Sequence, residues 1–114
     1  MNRYQWAVME ADLNTVVGAE QKVLRPELIV SNEEYNQAMP NVTILPLTST
    51  QRRLYPSEVI LKQGKAGQPR ESIIMAHQIR TISKIRLVRT IGNLEDLKTR
   101  IDVINALKEH LDLD

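Results

Sequence analysis

The sequence contains no cysteine, and this absence excludes several kinds of chemistry. Disulfide bonds, thiol nucleophiles and cysteine-ligated zinc or iron–sulfur sites all require that residue. Two histidines are present, which is few for a transition-metal site. We therefore expect a protein that works with no metal ion and no other cofactor.

Long apolar runs are missing too. Residues 42–47 and 73–76 form the longest ones, and both are far shorter than the ~20 residues that a transmembrane helix needs. Residues 1–6 lack the apolar stretch and cleavage site of a secretory signal. The length of 114 residues, with 42% hydrophobic and 25% charged residues, is typical of one globular domain. We expect a single domain over residues 1–114, cytoplasmic and without membrane contact.

The net charge of +1 hides an uneven distribution along the chain. Residues 1–50 hold three basic and six acidic side chains, residues 51–92 hold nine basic and two acidic ones, and residues 93–114 hold three and six. The basic middle would suit a polyanion such as RNA. The ordinary alternative is that these charges mix with the acidic ends on a solvated surface.

The pattern of apolar and turn residues predicts a mainly β protein. Six short strands are expected, over residues 4–13, 28–30, 42–47, 58–61, 72–82 and 87–91. Pro46 removes one ladder donor, so its position should lie on a sheet edge or at a bulge. These strands predict a strongly curved antiparallel sheet or barrel. Together with the two helices described next, the fold class is mainly β (α+β).

Two helices are expected beside the strands. Ser31 followed by Glu34 has the spacing of a capping box, which predicts a short helix over residues 32–38. Asn93 is a good N-cap for a second helix near the end of the chain. Its predicted apolar face recurs every three or four residues and consists of Leu94, Leu97, Ile101, Ile104, Leu107 and Leu111. This face should pack on the sheet.

Several sequence blocks together resemble the MazF/PemK family of toxins. They are residues 12–21, Arg25-Pro26, 28–32, 45–49 and 77–82. The resemblance implies an SH3-like small barrel of the MazF/PemK/CcdB type, with a short helix and a C-terminal amphipathic helix. It also implies a homodimer that cleaves single-stranded mRNA at short sequences without a metal, and a small MazE/PemI-like antitoxin with an acidic tail as partner.

The resemblance assigns a catalytic role to three residues. Arg25 matches the family's catalytic arginine, and a guanidinium suits the charge that grows on phosphate during cleavage. Thr48 matches the catalytic threonine, whose hydroxyl would donate to the phosphate. His77 stands where relatives often carry an acidic base, and a neutral imidazole could take the 2′ proton. Each has a plain structural alternative: a surface arginine, a strand-end threonine and a half-buried histidine.

Further residues are predicted to contact RNA. They are Glu20, Gln21, Ser49, Gln78 and Arg80, of which Glu20 is also a second candidate for acid–base work. Strand alternation sends Gln78 and Arg80 to one face and His77 and Ile79 to the other, so at most one pair faces the RNA unless a bulge intervenes.

The chain departs from the family pattern at three places. Trp6-Ala7 stands where relatives usually have Gly-Asp, Lys22-Val23 replaces Gly-Gly, and Glu27 follows Arg25-Pro26 where an apolar residue is usual. These changes leave the recognised RNA sequence open. They also leave room for an alternative, a non-cleaving binding protein on the same barrel, either a gyrase-poisoning CcdB-like toxin or a degenerate member that binds antitoxin and RNA.

Overall fold

The computed structural model describes residues 3–13 and 23–113. The predicted RNA contacts Glu20 and Gln21, and the departure at Lys22, lie outside the described residues. Within them the chain forms strands and helices in the order β1 (Ala7–Asp12), β2 (Leu24–Ile29), α1 (Glu33–Ala38), β3 (Asn41–Thr48), β4 (Glu58–Leu61), β5 (Ser72–Met75), β6 (Arg80–Ser83), β7 (Leu87–Asn93) and α2 (Leu97–Leu111). No helix in this part of the chain is long and apolar enough to cross a membrane.

The seven described strands form one antiparallel sheet. The strand order is β4-β5-β3-β2-β1-β7, and β6 pairs with β3 beside this path. The predicted mainly β fold with a short helix and a C-terminal helix is confirmed. The hydrogen-bond ladder does not close into a barrel, because in the described ranges no pairing joins β4 to β7.

Strand β3 is the centre of the sheet, because it pairs with three others. One side of β3 meets β2, while the other side meets β6 as far as Ile44 and β5 from Leu47 onwards. Pro46 lies between these two ladders. The prediction of an edge or a bulge was therefore wrong, but its reason holds: a residue without an amide proton sits where the strand changes partner.

The single strand predicted over residues 72–82 is interrupted. A 3₁₀ turn at Ala76–Gln78 separates β5 from β6. The turn is closed by the Ile79 amide, which donates to the Ala76 carbonyl at 3.2 Å. Sequence periodicity missed the break because both halves carry strand-forming residues.

The first helix begins one residue later than predicted. Asn32 is its N-cap, with a side-chain oxygen that accepts from the amides of Glu34 at 2.8 Å and Tyr35 at 3.3 Å. Ser31, the predicted cap, instead accepts from the Thr43 amide at 2.9 Å and so ties the loop to β3. Asparagine and serine are comparable caps, so the local sequence did not decide between them.

The predicted apolar face of the second helix is wrong for four of its six residues, while Leu94 is buried in the first core cluster and Leu107 packs against that cluster. Asn93 ends β7, Asp96 is the N-cap, and α2 packs through Val103 and Ala106, which are buried, and the partly buried Leu107. Exposed side chains make up most of the predicted face, namely Leu97, Ile101, Ile104 and Leu111. The smaller residues Val103 and Ala106 let the helix approach β4 and the 3₁₀ turn closely.

Both faces of the central strands are covered. One core cluster includes Leu28 and Leu45, and a second includes Ile29 and Ile44. Because neighbouring strand residues point to opposite faces, consecutive residues of β2 and β3 feed the two clusters in turn. The face of the second cluster continues along β2 towards its start, which is where the candidate site lies.

Two glycines allow the backbone around residues 64–68 to contact β7 directly. A Cβ atom on Gly67, whose φ is +73°, would lie 2.4 Å from the Ile91 carbonyl oxygen. A Cβ atom on Gly92 would lie 2.5 Å from the Ala66 carbonyl oxygen. Neither position has room for a side chain, so the two segments are held backbone to backbone.

Candidate active site

A cavity of about 780 Å³ gathers five of the predicted site residues. They are Arg25 of β2, Thr48 and Ser49 at the end of β3, Gln78 of the 3₁₀ turn and Arg80 of β6. These residues are up to 55 positions apart in the sequence, counting from 25 to 80. The structure therefore brings these five predicted residues together in one cavity.

Strand register explains why these side chains meet. Glu27 pairs with Pro46, and the same register continued by two residues sets Arg25 across from Thr48. Ile44 of β3 pairs with Arg80 of β6, so Arg80 shares the face of Ile44 and Pro46. The cavity is thus built on one face of β2, β3 and β6.

The cavity is positively charged. Arg25, Arg70 and Arg80 line it, and among the described lining residues Glu27 is the one acid. Other arginines of the basic middle are engaged elsewhere, since Arg52 forms an ion pair with Glu58. A phosphate backbone would find three guanidinium groups in this cavity.

The Thr48 hydroxyl is held at the end of its strand by local hydrogen bonds. It donates to the Thr50 hydroxyl at 3.1 Å and accepts from the Thr50 amide at 3.2 Å. This turn fixes the oxygen in the cavity wall beside Ser49. A bound phosphate oxygen could replace the Thr50 hydroxyl as the acceptor.

Glu27 lies in the cavity wall as a buried carboxyl group. Its exposed fraction is 0%, and neither side-chain oxygen has a hydrogen-bond partner in the described residues. Burial raises the pKa of Glu27 from 4.5 to about 7, and the positive charge of Arg80 opposes this shift. Reasoning from the sequence noted Glu27 as a departure from the family pattern but did not predict its burial.

His77 does not join the cavity. Its Nε2 atom lies 2.8 Å from Glu58 Oε2, and His77 is absent from the residues that line the cavity in the described part of the chain. The expectation that His77 would lie with Arg25 and Thr48 is therefore wrong for its placement. The local reason is the 3₁₀ turn, which turns the His77 ring towards β4.

Glu58, the partner of His77, is held by three groups. Arg52 donates two hydrogen bonds to it, both 2.8 Å long, and the Tyr55 amide donates a third at 2.7 Å. Arg52 first, and then His77 and the Tyr55 amide, lower the pKa of Glu58 to about 2. No sequence pattern indicates this cluster, because a single glutamate at a strand start has many possible partners.

The predicted division between the two pairs of residues is confirmed. Gln78 and Arg80 line the cavity, whereas His77 contacts Glu58 and Ile79 packs against the first core cluster. The pairs separate through the turn as well as through strand alternation. Arg70, which also lines the cavity, was missed because it follows a glycine-rich turn without a recognisable motif.

Two departures from the family pattern fall on β1 and the residue before it. Trp6 has a φ of +69°, in the region that favours glycine, and its ring stacks under the Arg100 guanidinium at 5.2 Å. The Trp6 carbonyl also accepts a hydrogen bond from the Leu94 amide at 2.7 Å and so connects the segment before α2 to the start of β1. Ala7 is fully buried.

In the residues that are described, no group of three or more His, Asp or Glu side chains could hold a metal ion.

Comparison with known proteins agrees with this fold. The sequence profile of "PemK-like, MazF-like toxin of type II toxin-antitoxin system" matches residues 4–111. Endoribonuclease EndoA of Bacillus subtilis is 38% identical over 87 residues, which cover 75% of each chain. Endoribonuclease MazF9 of Mycobacterium tuberculosis is 33% identical over 112 residues, which cover 93% of each.

Solved structures of similar fold cover nearly the whole chain. One is an endoribonuclease in complex with its cognate antitoxin from a mycobacterial species, with a TM-score of 0.81, 26% identity and coverage of 99% of this chain and 98% of that one. Another is the Mycobacterium tuberculosis toxin MazF-mt6, with a TM-score of 0.78, 28% identity and coverage of 95% and 98%. On the sequence profile, the relatives and the shared fold, this chain belongs to the family of PemK-like, MazF-like toxins of type II toxin–antitoxin systems.

Proposed function

We propose that the protein is a sequence-specific, metal-independent endoribonuclease that cleaves single-stranded mRNA in the cytoplasm as the toxin of a toxin–antitoxin pair. The cavity that joins Arg25, Thr48 and Arg80 carries this proposal, because it offers guanidinium and hydroxyl groups to one phosphate. The relatives named above are endoribonucleases, which favours cleavage over the gyrase-poisoning alternative.

The reaction uses the RNA as its own nucleophile. The 2′-oxygen attacks phosphorus, the bond from phosphorus to the 5′-oxygen breaks, and the products are a 2′,3′-cyclic phosphate and a 5′-hydroxyl. One proton leaves the 2′-hydroxyl for a base, and another reaches the departing 5′-oxygen. No metal ion is required for this bond exchange.

Each cavity residue has a role in this scheme. Arg25 stabilises the negative charge of the pentacoordinate phosphate, and the Thr48 hydroxyl donates to one of its oxygens. Ser49, Gln78 and Arg80 bind the neighbouring nucleotides through their hydroxyl, amide and guanidinium groups. The charge and the donors of the cavity thus match the transition state and the flanking backbone.

The proposed partners are a cognate antitoxin and a second copy of the chain. An acidic, MazE/PemI-like antitoxin segment would bind the same arginines as the RNA phosphates, so the two would compete. A homodimer is expected because a chain of 114 residues buries a limited core.

A cleavage assay with blocked nucleophiles tests the proposed function. End-labelled RNA should be cut at defined sites at the same rate with and without EDTA, and the upstream product should end in a cyclic phosphate. A 2′-deoxy substitution at the cleaved nucleotide should abolish cutting at that site, because the nucleophile is gone. Loss of cleavage in EDTA, or inhibition of gyrase without any RNA cleavage, would contradict the proposal.

His77→Gln tests whether His77 is the base. Its ring contacts Glu58 outside the cavity, so we expect cleavage to fall by less than roughly tenfold, with an unchanged dependence on pH. A true general base would instead account for ~100-fold to 10,000-fold, and its rising pH limb would disappear. Single-turnover rates measured across pH distinguish these results. The larger loss would identify His77 as the base, and the smaller loss would leave Glu20 as the next candidate.

A further inference from the structure

Glu27 is a charged residue that the reaction scheme above does not use. It lies two residues after Arg25 on the same face of β2, and both line the cavity. The side chain has an exposed fraction of 0%, so RNA in the cavity would not touch its carboxyl oxygens directly. Any effect of Glu27 on RNA must therefore pass through a neighbouring group.

An unpartnered buried carboxyl group needs a physical explanation. Neither oxygen of Glu27 has a hydrogen-bond partner in the described ranges, which is costly for a carboxylate and less costly for a neutral carboxylic acid. Burial raises the pKa of Glu27 to about 7, against the opposing charge of Arg80. Near neutral pH both protonation states are thus populated.

Among the described residues, the other charged side chains that line the cavity with Glu27 are cations. They are Arg25 of β2, Arg80 of β6 and Arg70 of the turn. The register partners of Glu27 are the uncharged Met9 on β1 and Pro46 on β3.

The nearest acids on β1 do not share this environment. Glu10 and Asp12 flank Ala11 and lie on the opposite face of β1 from Met9. Glu10 is paired with Arg89. Arg80 lies on the same face as Glu27, because Glu27 pairs with Pro46 and Arg80 pairs with Ile44 two residues earlier on β3. Its positive charge opposes the raised pKa of Glu27, so Arg80 is the route by which Glu27 would influence the cavity.

We propose that Glu27 is a positioning residue for Arg80: the neutral acid leaves the Arg80 guanidinium free for RNA phosphate, and the carboxylate draws it away. This inference rests on the proposed function, because it assumes that the cavity binds RNA.

Proton linkage gives the inference its sign. RNA phosphates repel the Glu27 carboxylate, both directly and by competing for Arg80, so RNA binds best when Glu27 is protonated. Binding then takes up a proton, and affinity falls as pH rises through about 7. If bound RNA requires the neutral form, the Kd at pH 8 should be roughly tenfold higher than at pH 6.

The test measures RNA binding and the state of Arg80 separately. A mixed-sequence 2′-O-methyl oligoribonucleotide, whose nucleophile is blocked, is titrated onto the wild type and Glu27→Gln at pH 6 and pH 8. The Arg80 Nε–H resonance is followed by NMR across the same range without RNA. We expect the roughly tenfold weakening and the Arg80 titration in the wild type, and neither in Glu27→Gln, which mimics the neutral acid in size and charge.

Glu10→Gln is the matched control, because it also removes a carboxylate from this part of the sheet but on the other face of β1. It should keep the wild-type dependence on pH. All titratable groups other than Glu27 are common to wild type and Glu27→Gln, so the difference between these two proteins is the decisive quantity.

The outcomes separate the two proposals. The role of Glu27 would be overturned if RNA binding had the same pH dependence in wild type and Glu27→Gln, or if the Arg80 resonance did not change with pH, even in a protein that cleaves RNA. The proposed function would be overturned if the protein neither bound nor cut RNA. In that case an Arg80 resonance that changes with the ionisation of Glu27 would still support the interaction between the two residues.

Discussion

We expect Arg25→Ala to lower RNA cleavage by roughly 100-fold to 10,000-fold while leaving the fold intact. Arg25 is exposed at the surface of the cavity, so its removal creates no hole in either core cluster. The loss arises because the guanidinium interacts most strongly with the pentacoordinate phosphate, and an interaction of that kind lowers the rate of the chemical step. Single-turnover cleavage of labelled RNA, with circular dichroism to confirm folding, measures the effect.

Arg89→Ala provides the matched control for this prediction. Arg89 is also an exposed strand arginine, but it pairs with Glu10 and does not line the cavity in the described residues. Its removal should change cleavage by less than roughly threefold, because surface ion pairs contribute about 1 kcal/mol or less. Equal losses in both variants would show that general positive charge, and not the position of Arg25, supports cleavage.

As pH rises, the wild type should lose about 3 kcal/mol of unfolding free energy through ionisation of Glu27, and we expect Glu27→Gln to avoid this loss. The pKa of Glu27 is raised from 4.5 to about 7 in the folded protein, so the folded state binds more protons between these values. The wild type therefore loses stability as pH rises through this window, and the loss is complete above pH 7. The glutamine variant cannot ionise and should escape that loss.

Urea unfolding at pH 4 and pH 8 measures this difference. The difference in unfolding free energy between Glu27→Gln and wild type should shift by about 3 kcal/mol in favour of the variant from pH 4 to pH 8. Any effect of the amide that does not depend on pH is the same at both values and cancels. Other titrating groups are shared by both proteins and cancel in the comparison. Parallel pH profiles would mean that the Glu27 carboxylate finds stabilising partners and that its pKa is near the ordinary value.

The site was predictable from sequence to the extent that its residues stand in short motifs. Arg25-Pro26 and the block that contains Thr48 carry the family resemblance, and antiparallel register then brings them to one face. Gln78 and Arg80 do line the cavity without His77, but the 3₁₀ turn at Ala76–Gln78 accounts for this separation and strand alternation alone does not. The placement of these residues was predictable where it depends on neighbours within a few residues.

The contacts that failed to be predicted are long-range ones. Glu58 holds His77 from 19 positions away, and no local pattern indicates such a pair. Burial of Glu27 likewise depends on the neighbouring strands and the turn that carries Arg70. A sequence shows that a charge is present, but the fold determines whether water reaches it.

The second helix shows a different limit. Its sequence carries two apolar stripes at helical spacing, one through Leu97, Ile101 and Ile104 and one through Val103 and Ala106. Hydrophobicity favours the stripe of larger residues, yet those side chains are exposed, Leu97 by 68%. Packing against β4 selected the smaller stripe, because only that one lets the helix axis come close.

The contact between Gly67 and Gly92 gives the active-site wall a distant anchor. Gln68 and Arg70 follow Gly67 directly and line the cavity, whereas Gly92 lies near the end of β7 and does not line it in the described residues. A methyl group at Gly92 would press on the Ala66 carbonyl and push the whole turn, Arg70 included, away from its place. The position of Arg70 is thus set in part by the absence of side chains at Gly67 and at Gly92, which lies on the edge strand β7. Substitutions at Gly92 would therefore lower activity although this residue does not line the cavity in the described residues. Random mutagenesis would identify Gly92 as important for activity for this indirect reason.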